Sequence, residues 1–304
     1  MKKYNLKNIA GLSLVEMLIG IVITSMMIMA IITSYNVVNK SYSQVTDRAK
    51  ISRSGRDIVE MMMRDIRMAG FRYILGTNTL DFPTRSYLEF KGGDTTIFES
   101  HDPIIIEKNV LGFSVDGTAD PESKHEDEDV CCDRIHIVYD DFNQNDVNQP
   151  YKRYKITYFA MKSPNDDDTH YGIYKSKESW IQPIGQDTGA WTADPTICSE
   201  CYSAELIRNH LTDMEFNAFD KQGKIINPPP NPDDPDTRGD LYNIKIVDVR
   251  LTFRSKREFF RSEAPDDKPR IVKGLGDRTR EFFDKFLRDS VVVTVYTRNI
   301  GAGS

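Results

Sequence analysis

Apolar positions follow two different rules along this chain. From Leu12 to Tyr35 almost every residue is apolar and Glu16 carries the only formal charge. As a helix rising about 1.5 Å per residue, this stretch reaches roughly 36 Å, enough to cross a hydrocarbon core with some tilt. After Tyr35 the chain turns polar but keeps helical spacing. Val38, Tyr42, Val45, Ala49, Ser52, Arg56, Val59, Met63, Ile66 and Gly70 follow alternating steps of four and three, with Ser52 and Arg56 interrupting an otherwise mostly apolar stripe. No proline occurs before Pro83. The pattern predicts one helix from Leu12 to about Gly70, near 90 Å long, with a domain packed against its outer half. Glu60 and Arg64 form a favourable i, i+4 pair, and Met61, Met62 and Met63 read as adaptable packing. Gly70 is a natural stop, because a left-handed residue just past a helix costs glycine little.

From Phe71 onward the period is mostly two. Ile135, Ile137 and Tyr139 share one face of a predicted strand and Ile156 and Tyr158 one face of the next, with the polar stretch 140–150 as the hairpin loop between them. Met214, Phe216 and Ala218 alternate in a further strand, and Val291, Val293 and Val295 in the last. Between these, Ile244 and Ile246 are in one phase and Val249, Leu251 and Phe253 in the other, which predicts a bulge near Val247 and Asp248. Asp277 followed by Phe282, Phe283, Phe286 and Leu287 predicts a short capped helix. Acidic or proline-rich segments at 120–129, 166–168 and 226–240 read as surface loops. The fold class is α+β: a long N-terminal helix laid against an antiparallel sheet.

Composition changes the picture little. The 304 residues are 39% hydrophobic and 28% charged, which excludes wholesale disorder. The net charge of −6 argues against nonspecific nucleic-acid binding. Charge placement says more. Lys2, Lys3 and Lys7 precede the apolar stretch without any acid, which places the N-terminus in the cytoplasm and the rest of the chain on the far side of the membrane. The apolar run is too long for a cleaved secretory signal. A plain anchor leaves Glu16 unexplained, because a carboxylate in a spanning helix costs a few kcal/mol (~3) and marks function by default.

The residues Gly11-Leu12-Ser13-Leu14-Val15-Glu16 behind a short basic leader resemble the cleavage and methylation motif of type IV prepilins. The resemblance implies cleavage between Gly11 and Leu12 by a membrane prepilin peptidase, N-methylation of Leu12, and an assembly role for Glu16. Leu12 stands where that family usually has Phe. Buried in a filament core, the Glu16 carboxylate needs a partner, and the amine of a neighbouring subunit is one. Arg64 to Phe71, ending Arg-Met-Ala-Gly-Phe, is similar to the helix end of PilW-type minor pilins, as are the strand order, Leu206 to Gly223, and Arg298-Asn299. The implied organisation is a leader over 1–11, a transmembrane helical half over 12–35, an amphipathic half over 36–70 and a β-rich globular pilin domain over 71–304.

The implied function is that of a minor pilin that initiates or caps a type IV pilus in a tip or priming complex. Implied partners are other minor and major pilins, the peptidase and methyltransferase, the inner-membrane assembly platform and a tip adhesin, with no nucleic acid. The implied location is the inner membrane, with the N-terminus cytoplasmic, and then the extracellular pilus. A minor pseudopilin of type II secretion, or an adhesin or DNA-uptake tip module, stays open as an alternative.

Cys131, Cys132, Cys198 and Cys201 fall beyond the membrane, in an oxidising compartment. Pairing of the first two with the second two is preferred, with a local Cys198–Cys201 bridge also open. A four-thiolate zinc site is disfavoured by the adjacency of Cys131 and Cys132. Asp141, Asn143 and Asn145 sit at alternate positions as in a calcium loop. However, Asp146 occupies the glycine place and Lys152 the place of the bidentate glutamate, so a solvated hairpin loop is preferred. Arg238-Gly239-Asp240 is read as a chance tripeptide. The five histidines are scattered, and no hydrolase, metalloprotease or phosphate-loop motif occurs. The chain is therefore read as a non-enzyme without a cofactor.

Overall fold

The computed structural model describes residues 13–71, 74–75, 86–87, 102–109, 132–142, 151–162, 171–181, 190–232, 234–260, 262–265, 267–276 and 278–300. Two compact units divide the chain, Met1–Ala49 and Lys50–Ser304. The helix α1 spans Leu14–Met68 and runs from the first unit into the second. It ends where the glycine predicts: Gly70 takes φ +74°, and its N–H donates to Val138 O at 2.9 Å.

Thirteen strands follow among the described residues. They are β1 (Ile74–Leu75), β2 (Ser86–Tyr87), β3 (Ile104–Glu107), β4 (Arg134–Phe142), β5 (Tyr151–Lys162), β6 (Tyr171–Ile181) and β7 (Ala190–Thr192). Then come β8 (Tyr202–Phe219), β9 (Ile225–Ile226), β10 (Ile246–Glu258), β11 (Arg270–Lys273), β12 (Thr279–Phe282) and β13 (Phe286–Tyr296). The main sheet has the order β13-β10-β8-β6-β5-β4-β3, with β7 added to β6 and β9 to β8, and every pairing is antiparallel. The architecture is the expected α+β one. A meander suits the alternating sequence, because each strand keeps one apolar face inward and pairs with a neighbour close in the chain.

Within the second unit the end of α1 packs on this sheet. Ile51, Ile58, Val59, Met62, Ile66 and Ala69 join Ile135, Ile137, Tyr158, Phe216, Val249, Leu251 and Phe253 in a single buried cluster. The seam differs from the predicted stripe. Arg56 is exposed and Ser52 half-buried, whereas Ile51, Gly55, Ile58 and Met62 face the sheet. The 4-3-4 stepping through Ser52 and Arg56 lay on the neighbouring ridge, where only Val59 and Ile66 are shared with the buried face.

Three local expectations are also corrected. No bulge occurs at Val247 and Asp248, since Ile246 to Thr252 pair without a slip with both neighbours. Ile244 is buried ahead of the strand rather than within it, which is why its phase differs. Slips lie instead further along, against β13 between Arg254 and Glu258, and against β8, where Thr252 faces Asp213 but Phe253 faces Leu211. Thr212 is the extra residue, and it lets Leu211 and Met214, three apart, both point into the core. The expected short helix after Asp277 is the β12 strand and the start of β13. Phe282 pairs with Arg270, and Phe286 with Glu258.

Candidate assembly site

The head of α1 is closed by a reciprocal pair of hydrogen bonds. Ser13 N–H donates to Glu16 Oε2 at 2.9 Å, and Glu16 N–H donates to Ser13 Oγ at 3.2 Å. This is the capping box that Ser-x-x-Glu permits, and it satisfies two backbone donors that a helix start otherwise leaves orphaned. The sequence reading singled out Glu16 as a charge and missed Ser13 as its partner. The other carboxylate oxygen, Oε1, accepts nothing among the described residues. Gly11 and Leu12 lie outside those residues.

Beyond the cap, every residue from Ser13 to Tyr42 is exposed. The large apolar side chains from Leu14 to Val38 are 50% to 76% exposed, so none of the described residues covers them. Three hydroxyls in this stretch turn back to the helix itself. Thr24, Ser25 and Thr33 donate to Gly20 O, Ile21 O and Met29 O at 2.7, 2.7 and 2.8 Å. A segment whose helical backbone and these three hydroxyls are satisfied internally is compatible with a solvent that offers no hydrogen bonds. The helix is long and apolar enough to cross a membrane.

In the second unit the end of α1 is held by more than apolar burial. A Cβ on Gly55 would lie 2.9 Å from Val291 Cγ2 and 3.6 Å from the Phe253 ring, so glycine lets the helix lie close to β10 and β13. Asp65, on the last turns of the helix, accepts from the Tyr158 hydroxyl and pairs with Lys175 Nζ at 2.8 Å. Burial, reinforced by the Asp65 charge and hydrogen bond, pushes the Tyr158 phenol far above its ordinary value. Asn299 Nδ2 donates to Arg67 O at 3.0 Å and so caps a terminal carbonyl of α1, and Ile300 lies against Gly70. Both Asp65 and Asn299 belong to stretches that carried the family resemblance, but their roles could not be read before the fold brought distant segments together.

On the face of the sheet turned away from α1 lies a charged cluster that sequence reasoning did not find. Arg278, beside β12, reaches Asp133 at 2.8 Å, Glu215 at 2.9 Å and Asp213 at 3.3 Å. Arg280 also pairs with Asp213 and Arg250 with Glu215, both at 3.3 Å, and Lys108 with Asp133 at 2.9 Å. The three carboxylate side chains are at most 3% exposed. Burial lifts Asp213 and Glu215 above the usual carboxylate range, while the surrounding guanidinium groups pull them back down. Asp133 stands 80 residues before Asp213, so no local spacing announced that it would join Asp213 and Glu215.

The remaining candidates resolve unevenly. Cys198 and Cys201 are joined to each other, so the preferred cross-pairing is replaced by the local bridge. The turn between them favours it: Cys198 N–H donates to Asp194 O and Cys201 N–H to Cys198 O, bringing the two side chains together. The bridge packs on Tyr154. Cys132 is disulfide-bonded and buried, and Cys131 lies outside the described residues. Asp141 is an exposed residue of β4 paired in register with Lys152, and Asn143 and Asn145 lie outside the described residues. Arg238 is bound through two nitrogens to buried Asp102, each at 3.2 Å, so the first residue of the Arg-Gly-Asp tripeptide is held by the fold.

No family model matches the chain, and no curated protein does. Among solved structures, the type IV-like pilin TTHA1219 from Thermus thermophilus superposes with a TM-score of 0.40 at 7% identity, over 83% of this chain and 98% of that one.

Proposed function

We propose that this chain is a minor pilin of a type IV pilus, cut between Gly11 and Leu12, methylated at Leu12, and used to prime or cap the filament with other pilins. The observation that carries the reading is the head of α1. A single carboxylate sits in the first turn of an apolar helical stretch, 13–42, that no described residue covers, with one oxygen capping the helix and the other accepting nothing among the described residues. A subunit held in the inner membrane by residues 12–35 would leave the bilayer to enter a filament whose core is the same apolar helix of its neighbours. There the open oxygen of Glu16 meets the amine that cleavage creates on a neighbouring subunit. The folded unit would stand outside the membrane and supply contacts to the other pilins of the tip complex.

Two substitutions separate a charge role from a capping role. Glu16→Gln keeps an N3 side chain able to close the box but has no charge, whereas Glu16→Leu loses both. Removing one member of a buried ion pair costs about 3–5 kcal/mol, which weakens docking by at least about 100-fold. Both variants are expected to be processed to a mature chain beginning at Leu12 and to insert normally, yet to fail in co-purification with other pilins and in piliation. Wild-type assembly by Glu16→Gln would reduce Glu16 to a helix cap. Retention of residues 1–11 on mature protein, seen by intact mass, would remove the pilin reading itself.

A further inference from the structure

The turn after β8 and the 3-10 segment before β10 enclose a cleft of about 850 Å³ whose chemistry the assembly role does not use. Lys221 and Lys224, in the turn after β8, and Lys245, just before β10, all line it. Among the described residues none of the three is in an ion pair with a carboxylate. The two acids in the cleft are already engaged. Asp220 Oδ1 accepts the N–H groups of Gln222 and Lys224 at 2.8 and 2.9 Å, and Asp240 Oδ1 accepts from Asn243 Nδ2 at 3.0 Å. Lys245 donates to Ile300 O, and both its partial burial and the charge of Lys221 hold its ammonium below the ordinary lysine value. Three lysines against two carboxylates leave the lining with one positive charge in excess.

Both walls are fixed before anything binds. The Asp220–Lys224 turn is closed by Asp220 N–H to Lys224 O at 3.0 Å and by Gly223 N–H to Asp220 O at 3.1 Å, with Gly223 at φ +77°. The opposite wall is tied down by the Arg238–Asp102 pair. Between the lysines the lining mixes amide groups of Gln222, Asn227 and Asn243 with the ring of Tyr242 and the edge of Pro228. Amides suit hydroxyl groups, an aromatic and a proline suit the C–H face of a ring, and the ammonium groups suit one anion. The volume fits one or two sugar rings, within the usual range for small-ligand clefts.

We infer that this cleft binds an acidic sugar, a pyranose ring bearing a carboxylate or a phosphate, with the anion held between Lys221 and Lys245. The site does not rest on the pilin reading, since every group in it belongs to the second unit.

Calorimetric titration of the full chain, in a polyoxyethylene detergent at low salt, tests it with glucuronate, glucose 6-phosphate, glucose, acetate and inorganic phosphate. Glucuronate or glucose 6-phosphate should bind and glucose should not, and whichever acid binds identifies the anion. Lys221→Glu should weaken that binding at least 10-fold without moving the unfolding midpoint, because the side chain is exposed. Tyr242→Ala should weaken the sugar acid while leaving any response to acetate or phosphate unchanged. Silence from both sugar acids at 10 mM (about the millimolar limit of useful affinity) overturns the proposal, as does unchanged affinity in Lys221→Glu. Acetate or phosphate binding as tightly as the sugar acids would also overturn it, by showing an anion site without sugar recognition.

Discussion

Gly55 shows how one missing methyl group sets the distance between a helix and a sheet. Its α-carbon lies over Val291 and Phe253 with no room even for a methyl group unless Val291 moves. Gly55→Leu forces the helix away from β10 and β13, an overpacking that costs about 1–3 kcal/mol, and more if the seam separates. Urea unfolding of the full chain in detergent should show the midpoint falling, while Arg56→Leu, one residue on and exposed, should leave it almost unchanged. Glycine in mid-helix is itself worth roughly 1 kcal/mol less than alanine, so its presence here reflects the close approach and not helical preference. Sequence alone did not distinguish Gly55 from a helix-weakening accident, because what it faces arrives from residues 253 and 291.

At the scale of elements, the β11–β12 hairpin is attached to the sheet mainly through charge. Arg278→Ala would leave Asp133, Asp213 and Glu215 with one cation each in place of two, all buried. The expected loss is about 3 kcal/mol or more. Amide exchange should quicken across β11 and β12 while the β4–β5 pairing keeps its protection. The acidic members of the cluster also set a pH dependence. Burial raises Asp213 and Glu215, so the folded chain holds their protons more tightly than the unfolded one does. Their contribution is therefore greatest below the ordinary carboxylate range and is lost as pH rises through their raised values. The wild type should gain stability relative to Glu215→Gln as pH falls from about 7 toward about 4, the ordinary carboxylate range. A difference that stayed flat, or moved the other way, would show that Glu215 is not raised.

Across the whole molecule, what was legible from the sequence follows the range of the interactions involved. The α1 helix, its stop at Gly70, the β4–β5 hairpin and the β8, β10 and β13 strands depend on periodicity and single residues, and all were readable. The stretch from Asp277 to Leu287 was misread because phenylalanines at helical spacing also suit a hairpin followed by an edge strand, and only pairing partners decide between them. The seam of α1 was placed one ridge off because Ile51, Ile58 and Met62 compete with an equally periodic neighbouring row. The Ser13–Glu16 box lies within four consecutive residues, but in an apolar run the same glutamate reads equally as an isolated charge, and only the paired hydrogen bonds distinguish the cap. Arg278 with its three carboxylates, Asp65 with Tyr158, and Asn299 with Arg67 join segments far apart in the chain. No one-dimensional signal marks such pairs.

Asn299 has a temporal consequence as well as a structural one. It reaches the end of α1 across a separation of 232 residues, and Val291, which backs Gly55, comes almost as late in synthesis. For a chain delivered through a membrane from its N-terminal side, the second half of the helix would emerge first and its seat last. Until β13 joins β10, the groove that receives Gly55 is incomplete and the helix end lacks its amide. Maturation of the folded unit is therefore a late, nearly all-or-none event, gated by arrival of the last strand. Until that closure the apolar row from Ile51 to Ala69 has no cover of its own, and the interval between emergence and closure becomes the period when a holding chaperone can engage it.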